Sequence, residues 1–304
     1  MAGYTDTAFR QVCRSLGAEY AVTEMVSVQG LTRRTAGTCR LLEFDPSEKP
    51  LGVQLYGSEP EAFRRAASIV SGMGFDFVDI NAGCPVRKVL CSRSGAALML
   101  DTERMLDIVS AAVEGSDLPV TLKTRLGWSR EQPLPEDLAA LAAARGAAAI
   151  ALHGRYRTDM FSGPVDVEGI RRLAAASPVP VVVGGDSTSA RAARELRDRT
   201  GCTGLMIGRG AVGNPWIFRE LSGSGPGTPL PGELRSVVTR HLDLLCGHVR
   251  GPRAFHIFRG QLVHYLRGFR GASALRGAAV AVSCREDVES LMDRVEELWG
   301  AGPS

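Results

Sequence analysis

The stretch FDFVDINAGCPVRKV, residues 75–89, closes an apolar run with a cysteine and a proline and follows them with Arg87 and Lys88. The run FDFVDI has the length and composition of an inner strand, short and bounded by turn residues. A glycine, a thiol and a proline then break it, so Cys84 stands at a strand end and not inside the strand. Six other runs read the same way: EYAVTEM (19–25), PLGVQLYG (50–57), LPVTLKTRLG (118–127), AAAIALHGR (147–155), VPVVVGGD (179–186) and GLMIGRG (204–210). All seven look apolar on both faces, and helical stretches such as SEPEAFRRAASIVSGMG (58–74) and TSARAARELRDRTG (188–201) lie between them. Such strands alternating with helices build a parallel sheet covered by helices. The repeat of roughly 25–40 residues is long enough for βα crossovers.

Seven such strands exceed what a small open sheet needs. They fit a (β/α)8 TIM barrel that lacks one strand. The chain opens MAGYTDTAFR, a loop in which Thr5 or Asp6 caps a helix. The first barrel strand should precede that loop, so the expectation is a start upstream of Met1. An open barrel would otherwise expose two strand edges.

Beyond IGRGAVGNPWIF (207–218) the pattern changes. Residues 222–232 are rich in Gly, Pro and Ser and read as a linker. No strand signal follows, and 233–249, 252–269 and 285–299 are helical. The expected organisation is a barrel domain over 1–221, a linker over 222–232 and an all-helical domain over 233–304.

The chain has 304 residues, 44% hydrophobic, enough for one large domain or two modest ones. Its formal net charge is +3, but arginines gather between Arg250 and Arg276 with few acids among them, and a basic face attracts phosphates. The seven cysteines are odd in number and none are paired as C-x-x-C, which points to neither a disulfide framework nor a zinc site. No stretch reads as a leader peptide or membrane span, and a reduced cytoplasmic protein is expected.

In a barrel the ligand sits at the C-terminal strand ends. Those positions hold Gln54, Asn81, Cys84, Lys123, Arg125, His153, Arg155, Asp186 and Arg209. So many polar groups beyond apolar runs need partners, and a bound cofactor would supply them. Gly184-Gly185 and Gly208 follow the last two strands, where backbone N–H groups can approach a phosphate, with Arg209 beside them. Glycine can also simply make a turn. Lys123 suits an electron-rich ligand, the alternative being an ion pair with Asp79 or Glu24. His153 is either a ligand contact or a core histidine.

The ordered motifs MAGYTDTAFR, GVQLYGS, DINAGCPVRKV, SGAALM, VTLKTRLGW, LHGRYRTDMFSGPVD, GGDS and IGRGAVGNPWIF resemble those of the tRNA-dihydrouridine synthases, from Met1 to about Phe218. The resemblance implies an FMN-dependent barrel that reduces uridine in tRNA with NADPH, hydride reaching C6 and a cysteine thiol protonating C5. That cysteine is Cys84, while Cys91 and the other five read as structural or loop-borne. It further implies that Ala2, Gln54, Lys123, His153, Gly184, Gly185, Asp186, Gly208 and Arg209 line FMN. Asn81 then meets the uracil with Arg125 close by, and Arg87 and Lys88 face the RNA backbone. Phe161 stands where the family often has an aromatic near the base, though a core phenylalanine reads equally well. The family's Asn-Gly-Asp is Gly184-Gly185-Asp186 here, one side-chain contact fewer.

The tail interleaves Arg253, Arg259, Arg267, Arg270 and Arg276 with aromatics. Alone this is an amphipathic packing helix with solvated arginines. Beside a barrel of this family it becomes a tRNA phosphate surface, with Arg259, Arg267 and Arg270 as contacts. The target uridine must also leave its stack to reach a barrel mouth. No obligate protein partner and no metal is implied. Two rival readings are an FMN barrel acting on a small pyrimidine or enoate, and a flavin-free RNA-binding barrel.

Overall fold

The computed structural model describes residues 3–185, 187–230, 232–267 and 272–300. Ala2, Asp186 and Arg270 lie outside the described residues. Nine strands occur among the described residues: β1 (Ala21–Ser27), β2 (Leu51–Tyr56), β3 (Phe77–Asn81), β4 (Val120–Arg125), β5 (Gly127–Ser129), β6 (Gln132–Pro133), β7 (Ala147–His153), β8 (Val181–Gly184) and β9 (Gly204–Met206). Seven form one sheet in the order β1-β2-β3-β4-β7-β8-β9, each parallel to its neighbour. The order never reverses, so there is no switch point of the doubly wound kind, and the walk is that of a barrel wall. Among the described residues no ladder joins β9 to β1, the place where a further strand is expected. The hairpin β5–β6 sits in the loop after β4 and was not foreseen.

The two faces of this wall differ. Val53, Leu55, Val78, Ile80, Leu122, Ile150, Leu152 and Val183 are all 0% exposed and share one core with Phe63, Val70, Met105 and Ile170 from the covering helices. Each buried side chain of this size contributes about 1.5–3 kcal/mol. Side chains alternate along a strand, so the other face carries a second set. Gln54, Asp79 and Thr121 lie in one row, Asn81 and Lys123 in the next, and Arg125, His153 and Gly184 above them. The strands are therefore not apolar on both faces: the inner one is polar towards its C-terminal ends. Ala149 and Ala151 put small side chains on that face, while Gly184 and Gly204 accommodate Met206 and Val182, which a Cβ there would meet at 2.8 and 3.2 Å.

The chain divides into two compact units. The first holds the sheet, over Tyr20–Gly208, and the second holds Tyr4–Glu19 with the residues from Arg209 onward. The expected boundary at 222–232 is thus displaced. Residues 223–230 fold against their own unit because Arg219 binds them: its Nε donates to Pro226 O at 2.9 Å, Nη2 to Thr228 O at 2.8 Å and Nη1 to Glu233 at 2.6 Å. The helix Thr7–Ser15, expected with the barrel, also belongs to this unit. Asp6 caps it, accepting from Phe9 N at 2.9 Å, and Ala8 packs with Trp216, Leu242 and Leu245. Helices Glu233–His248, Pro252–Tyr265, Ala272–Ala279 and Arg285–Gly300 complete it. No helix among the described residues is long and apolar enough to cross a membrane.

Candidate active site

The inner face carries a hydrogen-bonded chain of side chains. Thr121 donates to Asp79 at 2.7 Å, Gln54 Nε2 donates to Asp79 at 2.6 Å, and Asn81 Nδ2 donates to Gln54 Oε1 at 2.8 Å. Asn81 Oδ1 then accepts from the backbone N–H groups of Gly83 and Cys84 at 3.2 and 3.0 Å. The register makes this possible, since these residues alternate on neighbouring strands and so point the same way. Burial raises the Asp79 carboxyl above its ordinary range, opposed by the hydrogen bonds from Thr121 and Gln54.

This chain ends at the thiol. Cys84 is partly exposed on the loop between β3 and the helix Arg87–Cys91. Its N–H is fixed by Asn81 and its carbonyl accepts from Ala96 N at 3.0 Å. Gly95 lies against it with φ +60°, and a Cβ there would meet Cys84 O at 2.8 Å and Cys84 Cβ at 3.1 Å. A third tie comes from Arg125, whose Nε donates to Gly83 O at 2.9 Å. Backbone contacts on both sides of a residue fix where its side chain starts, which a positioned proton donor requires.

The amide of Asn81 is committed at both ends, its Nδ2 also reaching Met25 Sδ at 3.1 Å, and it is 5% exposed. It anchors the loop of Cys84 in this structure. Arg125 is engaged in a similar way. It is 2% exposed, and its Nη1 donates to Tyr156 O at 3.1 Å and Met160 O at 2.7 Å. Burial lowers its guanidinium to about 10. Arg125 ties the Cys84 loop to the loop after β7. Arg155 holds that second loop from below, donating to Gly163 O at 2.6 and 2.9 Å.

Lys123 behaves differently. It is half-buried on the inner face and makes no hydrogen bond and no ion pair within 4 Å among the described residues, while each Asp79 oxygen accepts one bond, from Gln54 or Thr121. The alternative of a direct ion pair with Asp79 is therefore not seen, and the two groups interact only at longer range. Burial lowers the ammonium below the ordinary lysine range, with Asp79 partly offsetting it and the charge of Arg125 adding to it. Ionised Cys84 would pull both Lys123 and Arg125 upward, so the thiol and the two cations share one electrostatic neighbourhood.

His153 is half-buried on β7, and its ring meets Phe161 edge to face with centroids 6.3 Å apart. Phe161 is 47% exposed and lies 5.3 Å from the Arg125 guanidinium, so the core reading of this phenylalanine is excluded. Gly185 has φ +123°, and a Cβ there would meet Val165 Cγ1 at 2.9 Å. Only glycine combines that backbone with that approach. Gly208 ends the first unit, whereas Arg209 opens the second in the turn Arg209–Ala211.

The tail residues are in the second unit. Phe258 and Tyr265 are buried in its core and Phe255 packs against it, so these three aromatics among the arginines are packing residues. Arg259, expected at phosphates, spends its Nε on Val282 O at 2.7 Å. Arg267 is exposed.

The family model described as dihydrouridine synthase (Dus) matches residues 1–298. The chain belongs to the dihydrouridine synthase family, a family of oxidoreductases. It is 38% identical over 313 residues to a probable tRNA-dihydrouridine synthase of Mycobacterium tuberculosis, covering 97% of this chain and 80% of that protein. It is also 38% identical to tRNA-dihydrouridine synthase B of Pseudomonas aeruginosa, over 91% of this chain and 85% of the relative. Among solved structures it is similar to histamine dehydrogenase from Rhizobium sp. 4-9, with TM-score 0.53, 15% identity and coverage of 80% and 47%. An old yellow enzyme homologue from Zymomonas mobilis matches at TM-score 0.52 and 10% identity, covering 75% of this chain and 86% of that one. At these identities the two share a fold with this synthase and nothing finer, and that fold is the TIM barrel.

Sequence reading missed Asp79 and Thr121 as site members and Gly95 as a neighbour of the thiol. Parity carries the signal for the first, since Asp79 is two residues before Asn81 and so on its face. For Gly95 the positive φ has no signature beyond the glycine itself.

Proposed function

We propose that this synthase reduces uridine in tRNA to 5,6-dihydrouridine, with FMN as its cofactor, NADPH as reductant and Cys84 as general acid. The carrying observation is a partly exposed thiol whose backbone is fixed on both sides and which shares its surroundings with Lys123. The tRNA substrate is suggested by the printed names of the relatives. The flavin is supported by the chemistry of the inner face. Lys123 offers a cation without a hydrogen bond among the described residues, Gln54 retains one amide hydrogen beyond its bond to Asp79, and Ala149 and Ala151 put only small side chains on the same face. Gly185 presents backbone that a side chain would block.

These residues would hold the cofactor, with Gly208 following the last strand as a phosphate turn. When bound, FMN supplies a hydride to C6 of the uracil. Cys84 gives its proton to C5 from the loop that Asn81, Arg125 and Gly95 fix. Phe161, exposed beside His153, offers the base a stacking face, worth roughly 1–3 kcal/mol.

The test is Cys84→Ala. The variant keeps its flavin and its reduction by NADPH but loses dihydrouridine formation by roughly 10²–10⁴-fold, while Cys91→Ala matches the parent. Near-normal tRNA reduction by Cys84→Ala removes the general-acid assignment. A purified protein without a flavin spectrum removes the cofactor assignment.

A further inference from the structure

Resting on the general-acid reading of Cys84 above, we propose that Asp79 is a positioning residue for that acid. As the acceptor at the buried end of the hydrogen-bonded chain, it sets the direction in which the Gln54 and Asn81 amides point, and so holds the Cys84 backbone N–H. The chain has a polarity. At the thiol end the N–H groups of Gly83 and Cys84 can only donate, so Asn81 must turn Oδ1 towards them, at 3.2 and 3.0 Å. Its Nδ2 then faces Gln54, which must present Oε1, at 2.8 Å. That leaves Gln54 Nε2 pointing away from the thiol, where it needs an acceptor. Asp79 Oδ2 meets it at 2.6 Å. Turning either amide by 180° sets donor against donor or acceptor against acceptor on both its sides.

The inner face makes this direction matter. Asp79, Gln54 and Asn81 are 3%, 8% and 5% exposed, so water does not readily replace a lost partner. Register puts Asp79 between Gln54 and Thr121 in one row, and Thr121 Oγ1 donates to the second carboxylate oxygen at 2.7 Å. A hydroxyl donates or accepts by rotating, so Thr121 follows Asp79 and does not direct it. Only the carboxylate is an acceptor on both sides. Burial works against its charge, with the Lys123 ammonium offsetting this at longer range. Its hydrogen bonds lead to Thr121 and, through two amides, to the reacting residue. Mere adhesion between strands needs no fixed direction, whereas a chain that ends on two backbone donors does.

The experiment reads amide hydrogen exchange of Gly83 and Cys84 in the purified full chain, by mass spectrometry of overlapping peptides. The Ile150 amide, bonded to Pro180 O at 3.0 Å, serves as the reference for global stability. Asp79→Leu removes the acceptor, and exchange at Gly83 and Cys84 is expected to rise by about tenfold relative to Ile150. Turnover per bound flavin falls with it, at unchanged KM for tRNA. Asp79→Asn can turn its own oxygen to Gln54 and its NH2 to Thr121, and restores both quantities. Gln54→Met breaks the chain at its middle and raises the same two exchange rates. Because the effect of Asp79 runs through Gln54, adding Asp79→Leu to Gln54→Met raises them no further. Parental exchange in Asp79→Leu overturns the proposal. Where Asp79→Leu does not fold, parental exchange in Gln54→Met overturns it equally. Raised exchange with parental turnover leaves Asp79 a support of the loop and overturns its role in positioning. Near-normal tRNA reduction by Cys84→Ala overturns the acid itself, on a different measurement from the one that overturns the chain.

Discussion

Arg125 bonds Gly83. The guanidinium Nε donates to the Gly83 carbonyl at 2.9 Å, one residue before the thiol, while Nη1 holds the carbonyls of Tyr156 and Met160 on a different loop. One buried side chain thus sets the distance between the loop of Cys84 and the loop of Phe161. Three carbonyl acceptors in this geometry suit a planar guanidinium and not an ammonium.

Arg125→Lys is therefore expected to be far from conservative. Leaving buried carbonyls unpaired costs about 1–3 kcal/mol each, so thermal unfolding falls to lower temperature. Turnover falls with tRNA affinity and flavin content little changed, because the variant loosens the position of the acid without removing it. A variant with parental turnover and lowered stability would show that Arg125 supports the fold only.

Gly95→Ala probes the same turn from the other side. The left-handed backbone disfavours any Cβ by about 1–2 kcal/mol, and the added carbon meets Cys84 O at 2.8 Å. Because both the backbone and the thiol's own Cβ are in the way, relief requires Cys84 to move. The expected outcome is a drop in turnover larger than any change in KM for tRNA, read from steady-state kinetics at saturating NADPH. Unchanged turnover at reduced stability would disconnect Gly95 from the chemistry.

In the helical unit, His241 is 0% exposed, with Nδ1 3.0 Å from the Tyr265 hydroxyl. Burial pushes its imidazole down to about 3. The unfolded chain takes up this proton near pH 6.5 and the folded one only far below, so the unfolded state binds more protons between those values. The contribution of His241 is complete above pH 6.5 and is lost as pH falls, at up to about 1.4 kcal/mol per pH unit. Urea unfolding of the parent and of His241→Phe between pH 7 and 4.5 measures the difference in slope. Parallel curves for the two proteins would mean that His241 is not held neutral.

What was readable from the sequence divides along physical lines. Strand runs such as FDFVDI and VPVVV are local signals, and the Asp6 cap and the placement of Cys84 at a strand end follow from neighbouring residues. The assignment of Thr7–Ser15 to the second unit was not readable, because it depends on packing against Leu242 and Leu245 more than two hundred residues away. Nor was the difference in engagement between Asn81, Arg125 and Lys123. All three are polar groups at strand ends in the sequence. Only the hydrogen-bond ledger separates the two that spend their groups on backbone and neighbours from the one that does not. The same holds for Arg259, tied to Val282 O, against Arg87, Lys88 and Arg93, which make no ion pair or hydrogen bond through their side chains among the described residues.

That separation makes Lys123 the decisive residue for the cofactor. A half-buried ammonium with no hydrogen bond among the described residues is a cost to the ligand-free fold, in keeping with burial lowering it below the ordinary lysine range. Replacing it by methionine keeps the aliphatic stem and removes the charge. Flavin-stripped Lys123→Met should therefore unfold at the same temperature as the stripped parent, or higher. With flavin added the order should invert, because a ligand stabilises in proportion to its affinity for the folded state, and the variant binds it more weakly. Flavin per chain after purification should fall accordingly, while the salt dependence of tRNA binding stays parental, since Lys123 is half-buried on the inner face of the sheet. Two thermal scans and one absorbance spectrum decide it. A Lys123→Met protein that is destabilised without flavin and retains a full complement of it would assign Lys123 to the fold, and the electron-rich partner of the inner face would have to be sought at His153.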